Sequence, residues 1–272
     1  MKTIRRTLEL WAVVLRKQFQ IEFSYKTAFF LQNLSIPLTI VSWFFLSKLI
    51  DNNSPFMPDG LDYFTFVVAG VAALDLCVSV INYVAGRIRE EQISGVLEEI
   101  KITQTSFIMY FSTLSAYPTV LSLIRLSIYM VIIFFMNQFQ FNFEILMVVI
   151  PILALTILSL AGFSMVSASF ILLIKKGDYV TKGYIMMSSL IGGIAYPIAV
   201  LPDFVQFFSN FLPVTQLADT LRNVFAENLS YELIIYDIYQ QIILALIYMV
   251  LGVIILKYAL NKTLAEGSLT DF

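Results

Sequence analysis

Long apolar runs near residues 29–50, 63–85, 107–136, 145–174, 184–201 and 236–258 recur along the chain, and the segments between them carry positive charge on alternate loops only. A helix needs about 20 apolar residues to cross the hydrocarbon of a bilayer, and most of these runs are that long. The pattern predicts an all-α polytopic membrane protein with six transmembrane helices, forming one domain over residues 1–272. Fourteen of the 17 lysines and arginines sit before the first run, between runs two and three, between runs four and five, or at or beyond the end of run six. Positive charge marks the cytoplasmic side, so both termini are predicted inside, and the alternation itself argues for an even number of crossings.

Composition narrows the function classes. The chain is 59% hydrophobic and 13% charged, with a mean hydropathy of +0.83, far from the soluble balance. A net charge of −2 gives no basic surface for nucleic acid. Cys77 is the only cysteine, so an intrachain disulfide is impossible. Histidine is absent, which removes the commonest general base and metal ligand. Neither a catalytic constellation nor a metal motif such as H-E-x-x-H occurs, and no short cleavable leader is evident before the first run.

Three segments stand apart from the runs. In residues 1–27, Leu8, Trp11, Leu15 and Phe19 recur at helical spacing among Arg5, Arg16 and Lys17. That pattern predicts an amphipathic helix in the membrane interface, serving either as an anchor or as a docking element. Residues 87–106 are the most hydrophilic stretch, with mixed charge. Here a short surface helix, a break at Gly95 and a second helix are expected. In residues 202–231, Pro202 and Pro213 bracket Phe204, Phe207, Phe208 and Phe211 on one helical face, and Leu217, Leu221, Val224 and Phe225 follow on another. Two short outer helices result, either re-entrant or lying in the interface. Gly192, Gly193 and Pro197 interrupt the run before them.

Two ionisable residues fall inside runs. Asp75 lies twelve residues after Tyr63, and Arg125 eleven residues before Met136 on the antiparallel third run. At about 1.5 Å per residue the two depths agree to within a turn. A charge at a bilayer centre costs about 2.5–3.5 kcal/mol on insertion scales, so a contact or shared polar network is predicted, as a structural ion pair or part of a substrate site. Gly162, Ser164, Ser167, Ala168 and Ser169 on the fourth run read as a close-packing face.

The run R-I-R-E-E-Q-I-S-G-V-L-E-E-I-K-I-T at 87–103 resembles the cytoplasmic coupling loop of type-2 ABC exporter permeases. The later Y-P-x-x-x-L-P, L-P-x-T and L-R elements at 196–222 are similar to that family's end of span five and outer re-entrant helices. Together with the six runs, the resemblance covers almost the whole chain. It departs from the family pattern at Val96-Leu97-Glu98 and Thr103-Gln104.

The resemblance implies a permease with no nucleotide site of its own. It would pair with a second permease copy, identical or related, and with two separate ATPase subunits that bind ATP and magnesium, in a bacterial plasma membrane. Arg89, Glu90, Glu91, Gly95, Leu97 and Glu98 would then contact the ATPase. Tyr196, Pro197, Pro202, Phe207, Phe208, Pro213 and Arg222 would form the outer gate. No G-x-x-x-x-G-K-[ST] loop occurs in the sequence, in line with an energy source on another chain. Expected cargo is a hydrophobic or amphiphilic drug, lipid or peptide. The alternatives are a lipid-linked polysaccharide or, from another class, a stand-alone channel or secondary transporter.

Overall fold

A computed structural model describes residues 2–50, 61–95, 107–137, 143–174, 179–226 and 231–265. The described residues are helical with short connections: α1 (Lys2–Ser24), α2 (Lys26–Ser47), α3 (Tyr63–Ser94), α4 (Phe107–Asn137), α5 (Phe143–Ile174) and α6 (Tyr179–Ile191). A 3₁₀ turn at Ile198–Val200 follows, then α7 (Asp203–Ser209), α8 (Pro213–Phe225) and α9 (Tyr231–Ala265).

Among the described residues, four helices are long and apolar enough to cross a membrane: α3, and the stretches Thr113–Met136 of α4, Ile145–Ile174 of α5 and Ile234–Thr263 of α9. Of the other two predicted spans, one falls on α2, a helix of 22 residues with Pro37 inside it. The run at 184–201 is not one helix. The 13 residues of α6 end at Ile191, and a rise of about 1.5 Å per residue leaves them short of a hydrocarbon core of about 30 Å.

The helix α3 is the centre of the fold. In its most apolar window 72% of residues are buried, against 28–39% in the other three long helices. Its Val68, Leu76, Val80 and Ile81 meet Tyr129 and Ile133 of α4, Ile152 and Leu160 of α5, and Leu217 and Leu221 of α8 in one apolar core. A second cluster, around Val84, Ile88, Phe111, Leu172 and Leu256, fills the opposite end. The remaining helices turn large apolar side chains outward, including Phe135, Met147, Leu246 and Ile254, as a lipid-facing surface requires.

A correction to the sequence expectation concerns the polar stretch after run two. The 32 residues of α3 continue without a break to Ser94, so residues 86–94 are the last turns of that helix and not a separate surface helix. Gly95 ends it in the left-handed region, at φ 75° and ψ 2°, where a side chain would be strained.

The packing of α5 on α9 depends on missing side chains. A Cβ on Gly162 would lie 2.5–2.6 Å from the backbone of Tyr248 and Met249, and one on Gly252 would lie 2.4 Å from the Gly162 carbonyl oxygen. Two backbones in contact gain dispersion energy that lipid cannot match. Close by, Gln241 on α9 donates to the Thr156 hydroxyl of α5 at 2.6 Å. The hydroxyls of Thr156, Ser159, Ser164 and Ser169 donate to carbonyls four residues back, which removes them as unsatisfied groups.

This packing yields a contrast. Gly162→Ala and Gly252→Ala are expected to lower the thermal midpoint of the detergent-solubilised protein. Gly86→Ala and Gly183→Ala, with nothing within 4 Å of the added carbon, should leave it unchanged or raise it, because alanine is favoured over glycine by about 0.5–1 kcal/mol inside a helix. Equal effects at all four positions in a thermal-melt series would remove the backbone-contact assignment.

Candidate functional site

Where α6 ends, the chain turns through Gly192 and Gly193 without regular structure until the 3₁₀ turn. Gly193 has a φ of 69°. An unwound backbone exposes carbonyls that a helix would have satisfied, and at membrane depth each orphan costs several kcal/mol. Here every carbonyl oxygen from residue 190 to 195 accepts a hydrogen bond from a side chain. Tyr196 Oη donates to Leu190, Ser209 Oγ to Ile191 at 2.5 Å, and Thr215 Oγ1 to Gly192 at 3.4 Å. Arg222 Nη2 donates to Gly193 at 2.6 Å and to Ile194 at 3.1 Å. Tyr63 Oη reaches Ala195 at 3.0 Å. The donors come from the start of α3, the end of α7, two places on α8 and the loop itself.

Arg222 is the hub of this arrangement. It is 3% exposed. Its Nε donates to the Phe66 carbonyl of α3 at 3.1 Å, its Nη1 meets Asp219 at 3.0 Å, and its guanidinium carbon sits 3.6 Å from the centroid of the Phe66 ring. Burial pulls its pKa below the ordinary value, and the Asp219 charge opposes that shift. The planar five-donor fork suits this task, which a lysine point charge cannot fill. Gly70 makes room for it: a Cβ there would lie 2.6 Å from Arg222 Nη2 and 2.7 Å from the Ile194 carbonyl oxygen.

The proline-bounded helices follow the sequence pattern in part. Pro202 caps α7 and Pro213 opens α8. Phe204, Phe207, Phe208 and Phe211 are all exposed, at 41–73%, and touch edge to face. Leu217, Leu221 and Val224 are buried, so α8 spends its apolar face inside the protein on the core shared with α3.

A second polar region lies between α2, α3 and α4. The structure brings Asp75 and Arg125 together, Oδ1 to Nη2, at 3.0 Å, with 19% and 10% of the side chains accessible. Arg125 Nη2 also lies 3.5 Å from Ser35 Oγ on α2. Among the described residues, Asp75 Oδ2 and Arg125 Nε have no hydrogen-bond partner. The pair stands in the wall of a chamber of about 460 Å³, which continues past Ser79 to Asn82 and Tyr83 on α3 and to Tyr117 on α4. Sequence reasoning found the pair but not the chamber. The signal was present: Asp75, Ser79 and Asn82 repeat at i, i+4 and i+7, a polar stripe on an otherwise apolar helix.

At the far end of α3, Arg87 bridges Glu90 at 3.0 Å and Glu91 at 3.6 Å. Glu91 is 7% exposed, and its Oε2 accepts from Tyr110 Oη of α4. Of the residues predicted to contact a partner, Arg89 and Glu90 face outward, Glu91 faces α4, and Gly95 ends the helix. Leu97 and Glu98 lie outside the described residues.

No protein-family model matches this chain, and no curated protein matches it in sequence.

Two outcomes follow from this geometry. Arg222→Met should lower stability by about 3 kcal/mol or more, because it leaves buried carbonyls and Asp219 without their donor, and Arg222→Lys should recover only part of the loss in a thermal melt. Asp75→Leu and Arg125→Leu, each alone, should cost about 3–5 kcal/mol as the surviving charge loses its partner, while the double variant recovers much of that cost. A double variant that melts at the temperature predicted by simple addition would show the two side chains to be uncoupled.

Proposed function

We propose that this chain is the membrane subunit of an ATP-driven exporter of the type-2 ABC class, moving a hydrophobic or amphiphilic compound outward. It works beside a second permease copy and is powered by two separate ATPase subunits that hold ATP and magnesium. In this reading both termini face the cytoplasm of a bacterial cell, α1 lies in the inner interface, and α2 and α6 complete a six-helix membrane bundle.

The observation that carries the reading is the clamped break between α6 and α9. A short helix ends at a glycine pair, two proline-initiated helices follow, and α8 returns to bury its apolar face on α3, with its polar demand met by Arg222. This is the form the resemblance gives to the outer re-entrant segment, with Tyr196, Pro197, Pro202, Phe207, Phe208 and Pro213 around it. At the other end, α3 runs past its apolar segment as a rigid charged rod ending at Gly95. A rod continuous with the core transmits a push at its tip to α4, α5 and α8 together. Arg89 and Glu90 supply exposed charge near that tip, and Leu97 and Glu98 follow it in the sequence. Glu91 acts from within, holding the end of α3 to α4 through Tyr110.

The test is purification of the full chain from its native host, identification of any co-purifying ATPase, and measurement of hydrolysis in proteoliposomes with candidate amphiphiles. Leu97→Asp is expected to leave the chain folded and membrane-inserted but to cut cargo-stimulated hydrolysis at least about tenfold, a loss of about 1.4 kcal/mol in coupling. Transport by the purified chain with no ATPase attached, driven by an ion gradient, would overturn the proposal.

A further inference from the structure

The polar chamber at Asp75 and Arg125 does not end in the protein interior. An apolar cleft of about 570 Å³ lies beside it, walled by Phe19 of α1, Ile36 and Pro37 of α2 and Ile124 and Ile128 of α4, and the two spaces share Leu121 and Arg125. A polar chamber holding one acidic and one basic side chain thus borders a cleft lined mainly by apolar side chains. That is the shape of a molecule with a charged head and a hydrocarbon tail.

The charges in the chamber define the head further. Asp75 and Arg125 sum to zero, so a head of net charge would leave an excess charge buried in a low-dielectric site. A head carrying both signs leaves none. Arg125 is suited to an anionic oxygen group, above all a phosphate, through its planar donors. Asp75 is suited to an ammonium. The rings of Tyr83 and Tyr117, with centroids 5.3 Å apart, form the adjoining wall and add faces that attract a cation.

We infer that the joined chamber and cleft between α1, α2, α3 and α4 bind a zwitterionic amphiphile, a lipid whose head carries an ammonium and a phosphate. The phosphate sits on Arg125, the ammonium on Asp75 near the tyrosines, and the acyl tail in the cleft along Ile124 and Ile128. The binding belongs to this chain alone, and only its meaning as cargo recognition rests on the exporter reading. A chain that binds the lipid but stimulates no ATPase would therefore sink that reading and leave the site standing.

The experiment uses the full chain in dodecyl maltoside and titrates three probes by calorimetry. They are a short-chain phosphatidylethanolamine, a phosphatidylglycerol of the same chain length, and glycerophosphoethanolamine, which is the head without tails. Phosphatidylethanolamine should bind about tenfold tighter than either of the others, roughly the worth of one charge-assisted hydrogen bond. Asp75→Asn should erase the preference over phosphatidylglycerol.

Leu121→Trp, which leaves both charges in place and fills the neck between the spaces, should weaken phosphatidylethanolamine by a similar factor, and it carries the test if the Asp75 variant fails to fold. Equal affinity for the two lipids in the unmodified chain would overturn the inference, and so would unchanged binding in Leu121→Trp. Tight binding of glycerophosphoethanolamine would assign the chamber to a free soluble zwitterion and remove the tail from it. Loss of self-association in Leu121→Trp with lipid binding intact would assign the cleft to a second copy of the chain.

Discussion

A broken helix inside a bilayer protein is stable only if something answers its freed carbonyls, and here the answer is a set of side chains converging on residues 190–195. Arg222 supplies two of the six bonds directly and adds a third to the backbone of α3. Remove that guanidinium and the segment after α6 keeps only Thr215 as a donor from α8 and Tyr63 as a donor from α3. This end of the fold therefore draws three of its backbone contacts from one buried cation. It is tolerated because its charge is spread over carbonyl dipoles, a carboxylate and an aromatic face. Gly70 is the counterpart on α3, since any side chain there would occupy the space of the clamp.

The same economy of polar groups runs through the rest of the molecule. Where α5 meets α9, glycine brings two backbones into contact and Gln241 reaches Thr156 across the seam. Where α3 meets α4, opposite charges at mid-helix and the Tyr110–Glu91 contact near the end hold the two rods at two levels. Apolar packing fills the spaces between but does not choose the register. In a lipid solvent that is nearly as apolar as leucine, specific polar contacts and close backbone approach must do so.

Much of this was legible in the residues. Run length identifies the long helices, and the matched depths of Asp75 and Arg125 identify their contact. What stayed hidden has identifiable causes. Hydropathy ends run two at residue 85 because charges begin there, yet nothing in Arg87, Arg89, Glu90 or Glu91 breaks a helix, so α3 continues until Gly95. Gly192, Gly193 and Pro197 mark the interruption in the fifth run, but hydroxyls such as Ser209 and Thr215 look like ordinary helix residues. Their partners lie 18 and 23 positions away, and no local pattern encodes that distance. The amphipathic face of α8 could be seen, but not that it turns toward α3 and away from lipid.

The clamp has a mechanical corollary. Because the carbonyls of residues 191–195 are each tethered to α3, α7 or α8, the glycine pair is a weld and not a hinge. A displacement of α3 would carry the α6 terminus, α7 and α8 with it as one plate, together with the four exposed phenylalanines on that plate.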